Sequence, residues 1–173
     1  AAIKILNKYP QWKVNVIGDE QRDKIFFKHD NLKNHGFLPH NKVLDIYKKT
    51  SIAVVCSRWN EPFGRTSLEA ASNGCAVIIS DKGGLPETIT NGLIIKNLNS
   101  DSLYKKIEEL ILDINLRKEL QRLSLKNFYL THKFITNLID HYRTEKLVGI
   151  NLFNIQKQNK SLRILHVTNF NER

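Results

Sequence analysis

The 173-residue sequence has no methionine, only two cysteines, and no apolar run near the roughly 20 residues that span a bilayer. Two cysteines are too few for a disulfide framework or a four-ligand zinc site, and they indicate a reducing, cytoplasmic setting. The chain also opens in a helical pattern at Ala1-Ala2-Ile3. We therefore expect its natural start to lie upstream and the sequence to be a piece of a longer protein.

Hydrophobic residues make up 41% of the chain and charged residues 25%, values that exclude a disordered protein. The formal net charge of +10 has two interpretations. A basic surface would attract an anionic partner, namely a phosphate-bearing substrate, the inner face of a membrane or nucleic acid. Alternatively, the charge reflects a lysine-rich composition, since no basic stretch is interleaved with stacking aromatics. We favour composition, with peripheral membrane association next and no nucleic acid partner expected.

Short apolar segments alternate with segments of helical periodicity in the first part of the chain. Residues 52–56 are apolar on both faces, which is typical of a central strand in a parallel sheet. Residues 66–73 predict a helix that ends at Gly74, and a later helix is predicted to be capped by Ser100 or Asp101. The sequence therefore predicts an α/β fold: a parallel sheet with helices on both faces, followed by a helical C-terminal segment. The predicted strands occupy 14–17, 31–36, 52–56, 76–79 and 93–95.

The end of the chain differs in character. Residues 149–160 are polar and rich in Asn, Gln and Lys, as linkers are. Residues 162–167 predict one more strand, which either opens a following domain or pairs with the edge of the same sheet. We therefore expect a first domain at 1–148, a linker at 149–160 and a candidate first strand of a further domain at 161–173.

One turn, from Ser57 to Ala70, carries polar chemistry. Parallel sheets bind ligands beyond the carboxyl ends of their strands, and this turn follows the most apolar strand. Free N–H groups and the positive end of a helix dipole converge where the helix begins, at Gly64, Arg65 and Thr66. These residues predict an anion site, because Gly64 lets a phosphate approach the backbone and Arg65 adds a charged donor.

Two carboxylates, Glu61 and Glu69, bracket this anion site. Glu69 lies about five residues inside the helix, roughly 7–8 Å further along its axis. A nucleotide sugar presents hydroxyls, a diphosphate and a ribose diol in the same order, and carboxylates accept hydrogen bonds from vicinal hydroxyls. The alternative is that Glu69 is an ordinary solvated residue and Glu61 a helix N-cap.

The same region resembles the family 4 glycosyltransferases, which have the GT-B fold. Their signature is Glu, seven intervening residues and a second Glu, followed by a Gly-Gly-x-x-Glu turn. Here the glutamates are Glu61 and Glu69, and the turn is Gly83-Gly84-Leu85-Pro86-Glu87. The resemblance covers about residues 1–148, and its further motifs are Pro62-Phe63-Gly64, Leu68 and Ala70, Gly74, Val77-Ile78, Val14 to Gly18 and His35-Gly36-Phe37.

The resemblance implies a retaining hexosyltransferase that moves a sugar from a nucleotide sugar to a glycan or lipid-linked acceptor, in polysaccharide biosynthesis at the inner membrane face. This chain would be its Rossmann-like, C-terminal, donor-binding half. No metal or other cofactor is implied, because no Asp-x-Asp pattern occurs and amides with basic side chains would stabilise the leaving group. The resemblance implies that Glu61 has a catalytic role at the sugar and that Glu69 binds the ribose. It also implies that the base is bound by Phe37 and Leu38. The diphosphate would be bound by the backbone of Phe63, Gly64, Arg65 and Thr66.

Two parts of that family pattern are missing from this sequence. They are a Gly-Arg/Lys-Gly segment that neutralises the diphosphate, and the N-terminal half with the acceptor site, so we expect the piece alone to be inactive. Residues 161–173 would then begin the N-terminal half of a second transferase.

Two alternative functions remain open, a sugar-nucleotide epimerase of the same fold and a non-catalytic basic binding module. The six histidines have no metal spacing and are interpreted as surface or loop residues, and Trp59 as a residue packed beneath the turn.

Overall fold

A computed structural model describes residues 1–18 and 27–148, which fall into two compact units. The first unit is Ala1–Leu130, and the second begins at Thr131 and contains one helix within the described residues. The predicted linker at 149–160 and strand at 161–173 lie outside the described residues. The elements are α1 (Ala2–Lys8), β1 (Val14–Val16), β2 (Leu32–Asn34), α2 (His40–Tyr47), β3 (Ile52–Val55), α3 (Arg65–Ser72), β4 (Ala76–Ser80), a 3₁₀ turn (Leu85–Thr88), β5 (Gly92–Ile95), α4 (Ser100–Leu112), α5 (Ile114–Lys126) and α6 (His132–Val148).

The described strands form two parallel sheets. β1 pairs with β2, and β3, β4 and β5 pair in that order, with Ile52 opposite Ala76 and Val77 opposite Gly92. The predicted α/β fold with parallel strands is confirmed. The prediction of a central position for β3 is wrong among the described residues, because β3 forms one edge of its sheet. Ala53 on β3 is buried, whereas Val54 is 42% exposed.

The core is organised around β4, whose five residues are all buried. Val77 and Ile79 belong to a cluster on the side of α2 and α3, whereas Ala76 and Ile78 belong to a second cluster on the side of α4 and α5. This alternation is the two-residue period of a strand that is covered on both faces. The predicted layers of helices on both faces of the sheet are therefore confirmed.

Two helix ends test the predicted caps. The cap of α4 is Asn99, not Ser100 or Asp101: its side chain accepts from the N–H groups of Asp101 and Ser102, and the Ser102 hydroxyl accepts from the Asn99 N–H. These contacts satisfy three N–H groups that the helix leaves unpaired, which favours Asn99 as the cap. At the end of α3, Gly74 lies directly after Asn73 and adopts the left-handed conformation, with φ of +78°. The predicted end of this helix at Gly74 is confirmed.

A carboxylate ties α1 to α4. The Glu108 side chain accepts hydrogen bonds from Lys8 Nζ at 2.8 Å, from the Tyr9 hydroxyl at 2.8 Å and from the Tyr104 hydroxyl. These donors, led by the Lys8 ammonium, lower the pKa of Glu108 to about 2. The helix that precedes β1 is thus fixed to a helix that covers the three-stranded sheet.

Candidate functional site

The polar turn begins where β3 ends, and a buried hydroxyl fixes its first residue. Ser80, the last residue of β4, is fully buried. Its Oγ accepts from the Ser57 N–H at 2.8 Å and donates to the Ser57 carbonyl at 2.9 Å. Both backbone groups of Ser57 are therefore satisfied by the neighbouring strand, and the turn leaves the sheet in a fixed direction.

The middle of the turn packs against the Gly83-Gly84 turn that follows β4. The Gly84 N–H donates to the Glu61 carbonyl at 2.7 Å. A Cβ on Gly83 would collide with the Glu61 carbonyl oxygen and lie 2.7 Å from the Glu61 nitrogen, and a Cβ on Gly84 would lie 2.7 Å from the Pro62 carbonyl oxygen. Two glycines are needed here because the backbones of the two turns are in direct contact.

The end of the turn is the N-terminus of α3. Gly64 caps this helix with φ of +87°, and a Cβ there would lie 2.5 Å from Leu85 Cδ2. The Ser67 hydroxyl donates to the Gly64 carbonyl at 2.7 Å and forms a 2.5 Å hydrogen bond with the Thr88 hydroxyl. Among the described residues, nothing accepts from the N–H groups of Phe63, Gly64, Arg65 and Thr66. These four amides lie at the positive end of a helix, where free N–H groups are available to an anion.

Glu69 lies one turn further along α3, and its side chain is only 17% exposed. Its Oε1 is 3.0 Å from His40 Nε2 and accepts from Arg65 Nε at 3.2 Å. Its Oε2 forms no hydrogen bond to the described residues. The carboxylate is therefore held by two groups through one oxygen, while the other oxygen stays available to a hydroxylated ligand.

The structure excludes the alternatives of a helix N-cap for Glu61 and of an ordinary solvated side chain for Glu69. Glu61 does not cap α3, because Gly64 does, and Glu69 is not an ordinary solvated residue, because it is largely buried and paired with His40 and Arg65. Arg65, which is predicted to add a charged donor at the anion site, contacts Glu69, and its side chain is 74% exposed.

Aromatic side chains around the turn are exposed. Phe37 is 81% exposed, Phe63 48% and Trp59 68%, so the interpretation of Trp59 as a residue packed beneath the turn is wrong. Leu38, the other residue predicted to hold a base, is half-buried. Phe37 and Leu38 are followed by Pro39 and then by α2, whose first residue, His40, contacts Glu69. The predicted base-binding and ribose-binding residues are therefore linked through His40.

Sequence reasoning missed the role of His40, because a lone histidine at a helix start has no distinctive spacing. The available signal was its position immediately after Pro39, three residues beyond Phe37. The histidine reaches Glu69 only through the packing of α2 against α3, which brings together residues 29 positions apart.

Burial disfavours the thiolate, which is the nucleophilic form, in both cysteines near the sheet. Burial raises the pKa of both Cys56 and Cys75 to about 11. Within residues 1–18 and 27–148, no group of three His, Cys, Asp or Glu side chains could hold a metal ion. None of the helices in the same ranges has the length and apolarity to cross a bilayer.

Two concave regions border the turn. A cavity of about 410 Å³ lies at the carboxyl ends of the three-stranded sheet, and a groove of about 660 Å³ separates β1 from β3. Neither of these two regions is lined by Glu61 or Glu69. Three cations, Arg58, Lys82 and Lys96, line the smaller cavity.

Comparison with known proteins gives the same architecture. The model of the glycosyl transferases group 1 family matches residues 1–125. The spore coat protein SA of Bacillus subtilis is 28% identical over 123 residues, which are 69% of this chain and 30% of that protein. The chain therefore spans less than a third of the length of this curated relative.

Two solved structures are similar in fold. The C-terminal domain of a group 1 glycosyl transferase from Francisella tularensis is 31% identical, with a TM-score of 0.64 over 72% of each chain. Anabaena HepE, solved with UDP and glucose, is 21% identical, with a TM-score of 0.60 over 86% of this chain and 44% of that chain. The family model spans well over half of this sequence, and the parallel sheets flanked by helices match these structures. The chain belongs to the group 1 glycosyl transferases and has a GT-B glycosyltransferase fold.

Proposed function

We propose that the chain is the C-terminal, donor-binding half of a retaining glycosyltransferase of family 4. In this proposal a hexose passes from a nucleotide sugar to a glycan or lipid-linked acceptor, with retention of anomeric configuration. The observation that carries the proposal is the contact between the Glu61 turn and the Gly83-Gly84 turn, beside four free amides at the start of α3.

Each part of the sugar donor has a chemical partner on this surface. The diphosphate would accept hydrogen bonds from the amides of Phe63, Gly64, Arg65 and Thr66, which lie where negative charge grows as the leaving group departs. Glu61 would contact the donor sugar. The leaving group would thus be stabilised by amides and basic side chains rather than by a metal ion.

Glu69 would bind the ribose diol through Oε2, since Oε1 is already held by His40 and Arg65. Phe37, largely exposed, and Leu38 would contact the base. His40 would act as a positioning residue, because its Nε2 contacts Oε1 of the Glu69 carboxylate. The UDP and glucose in the Anabaena HepE structure support a nucleotide sugar as the ligand class.

The proposal also covers where the acceptor binds and where in the cell the protein acts. Ligand sites commonly lie between two domains, and a second half would close over the region of Glu61 and Glu69. We propose that the acceptor binds that other half. The net charge of +10 is consistent with a cytoplasmic protein held peripherally at an anionic membrane face.

Calorimetry with single variants tests the proposal. Glu69→Ala is expected to weaken binding of UDP, GDP or ADP, whichever the chain prefers, by about 10- to 100-fold, because a hydrogen bond to a charged group contributes about 1.5–3 kcal/mol. Glu61→Ala is expected to leave binding of the nucleoside diphosphate unchanged and to weaken binding of the corresponding nucleotide sugar only. Equal affinities of both variants and the parent chain would refute the assignment.

A matched control and a polyanion separate the remaining alternatives. Glu119→Ala removes an exposed carboxylate that is paired with Arg122 on α5, and it should change neither affinity. Heparin tests the basic-surface alternative: tight heparin binding with no nucleotide preference would identify a non-catalytic binding module. Production of the epimeric nucleotide sugar without transfer would identify an epimerase.

A further inference from the structure

The cavity of about 410 Å³ at the edge of the three-stranded sheet brings three cations together. Arg58 follows β3, Lys82 follows β4, and Lys96 is the residue directly after β5. The three strands are parallel, so their carboxyl ends lie at the same edge of the sheet. Three positive side chains from distant parts of the sequence therefore line one concave surface, which we call the cationic cavity.

Hydrogen bonds between the strand ends fix the backbone that carries these cations. Ser80 Oγ bonds to both backbone groups of Ser57, the residue before the arginine. The Asp81 N–H donates to the Ile95 carbonyl at 3.0 Å, and these two residues directly precede the two lysines. The cationic cavity is therefore built on paired backbone and not on a free loop.

No carboxylate neutralises the cationic cavity within the described residues. None of its lining residues is acidic, and its three cations form no ion pair with a described residue. Glu61 and Asp81 do not line it, and Asp101, at the start of α4, pairs with Lys4 at 3.0 Å. Like charges around one cavity repel one another, so a bound anion would lower their electrostatic energy.

The donor groups in the cationic cavity suit a phosphate that is joined to a hydroxylated molecule. Arg58 can donate two parallel hydrogen bonds to phosphate oxygens, and Lys82, which is half-buried, adds a compact positive charge. Asn97 also lines the cavity, and its side-chain amide forms no hydrogen bond to the described residues, so it is available to a hydroxyl. The volume lies within the range of small-molecule sites.

We propose that the cationic cavity binds a phosphate monoester of a small, soluble, polyhydroxylated molecule. The phosphate contacts Arg58, Lys82 and Lys96, and the hydroxyls contact Asn97. A phosphate monoester carries a charge of about −1.5 to −2 at pH 7, which offsets most of the three positive charges. No residue of 61–69 lines the cavity, so this site is separate from the proposed nucleotide-sugar site and holds or fails independently of it.

Backbone amide chemical shifts of the isotope-labelled full chain test this proposal. Glucose 6-phosphate is the probe, and glucose and sodium sulfate are the controls for its hydroxyls and its charge. We expect glucose 6-phosphate to shift the amides at 57–58, 82 and 96–99 until they saturate, and to bind at least about tenfold more tightly than either control. Shifts confined to 63–66 would place the phosphate at the start of α3, and equal binding of sulfate would mean that charge alone is recognised. Either result, or no binding, would overturn the proposal.

Two matched variants locate the interaction. Lys82→Gln removes the half-buried ammonium and is expected to weaken binding of glucose 6-phosphate at least about tenfold, because a charge-assisted hydrogen bond is lost. Lys118→Gln makes the same change of net charge at an exposed position on α5 and should leave the affinity unchanged. Equal weakening by the two variants would mean that the basic surface as a whole attracts the phosphate, which would overturn the proposal.

A lipid head group is another source of the same phosphate chemistry. Sedimentation with vesicles of phosphatidic acid in phosphatidylcholine compares the parent chain with the same two variants. We expect Lys82→Gln to change vesicle binding no more than Lys118→Gln does. Vesicle binding that Lys82→Gln alone abolishes would assign the cationic cavity to a lipid head group and overturn the assignment of a soluble ligand.

Discussion

One strand from each sheet, β1 and β4, shows that strands with similar residues are buried to different degrees. β4 and β1 are both rich in β-branched residues, yet all five residues of β4 are buried, whereas no residue of β1 is. β4 has a strand on each side and helices on both faces, while β1 pairs with β2 alone in the part of the chain that the structure describes. The prediction of a buried strand at 14–17 is therefore wrong, because the burial of a strand depends on its neighbours.

Truncation in the two sheets should give the largest contrast in stability. Ile78→Ala in β4 is expected to lower the free energy of unfolding by about 2–5 kcal/mol, because it leaves a cavity in a fully buried site. Val16→Ala in β1 is expected to cost about 1 kcal/mol or less, because this side chain is already partly in water. Urea unfolding followed by circular dichroism measures both. Equal costs would mean that β1 is as tightly packed as β4.

The glycines that follow the two sheets allow a second comparison. Gly83 after β4 and Gly36 after β2 have almost the same φ, +58° and +59°. A Cβ at Gly83 would collide with the Glu61 backbone, whereas a Cβ at Gly36 would meet nothing within 4 Å. Gly83→Ala is therefore expected to lower the free energy of unfolding by about 2–4 kcal/mol, and Gly36→Ala by about 1–2 kcal/mol. Both variants place an alanine in a left-handed conformation, and only Gly83→Ala also displaces the neighbouring backbone.

Urea unfolding of the two glycine variants, with calorimetry of nucleoside diphosphate binding, checks this expectation. Gly83→Ala should also weaken nucleotide binding, because it moves the turn that bears Glu61 and leads to the free amides. Equal losses of stability in the two variants would show that backbone strain alone accounts for the glycine, without the contact between turns.

The smallest expected effect concerns the carboxylate that ties α1, before the two-stranded sheet, to α4, on the three-stranded sheet. The pKa of Glu108 is about 2 in the folded chain against its usual 4.5, so the unfolded chain binds this proton more readily. Its contribution to stability is fully present above about pH 4.5 and is lost as pH falls toward 2. The difference in stability between the parent chain and Glu108→Gln should therefore shrink over that range.

Urea unfolding at pH 6, 4 and 3 measures the dependence on Glu108. Glu109→Gln is the matched control, because this neighbour on α4 pairs only with Lys106 among the described residues. A constant difference between the parent chain and Glu108→Gln across the range would contradict a role for the ionised Glu108 side chain.

Much of the candidate site follows from local patterns. The start of α3 near Gly64, its end at Gly74 and the free amides between Phe63 and Thr66 follow from glycine positions and helix geometry. The pairing of His40 with Glu69 does not, because a histidine side chain at a helix start gives no indication of which distant carboxylate it meets. The functional roles of these residues stay predictions.

The sequence alone specifies the kinds of elements, their order and the parallel α/β class, because helix and strand periodicities, caps and breakers act over a few neighbouring residues. Packing between distant residues decides the rest. Only the folded chain brings the Gly84 amide to the Glu61 carbonyl and His40 to Glu69, buries β4 more than β1, and opens the groove beside β3. These features depend on contacts between segments far apart in the chain, which no local pattern encodes.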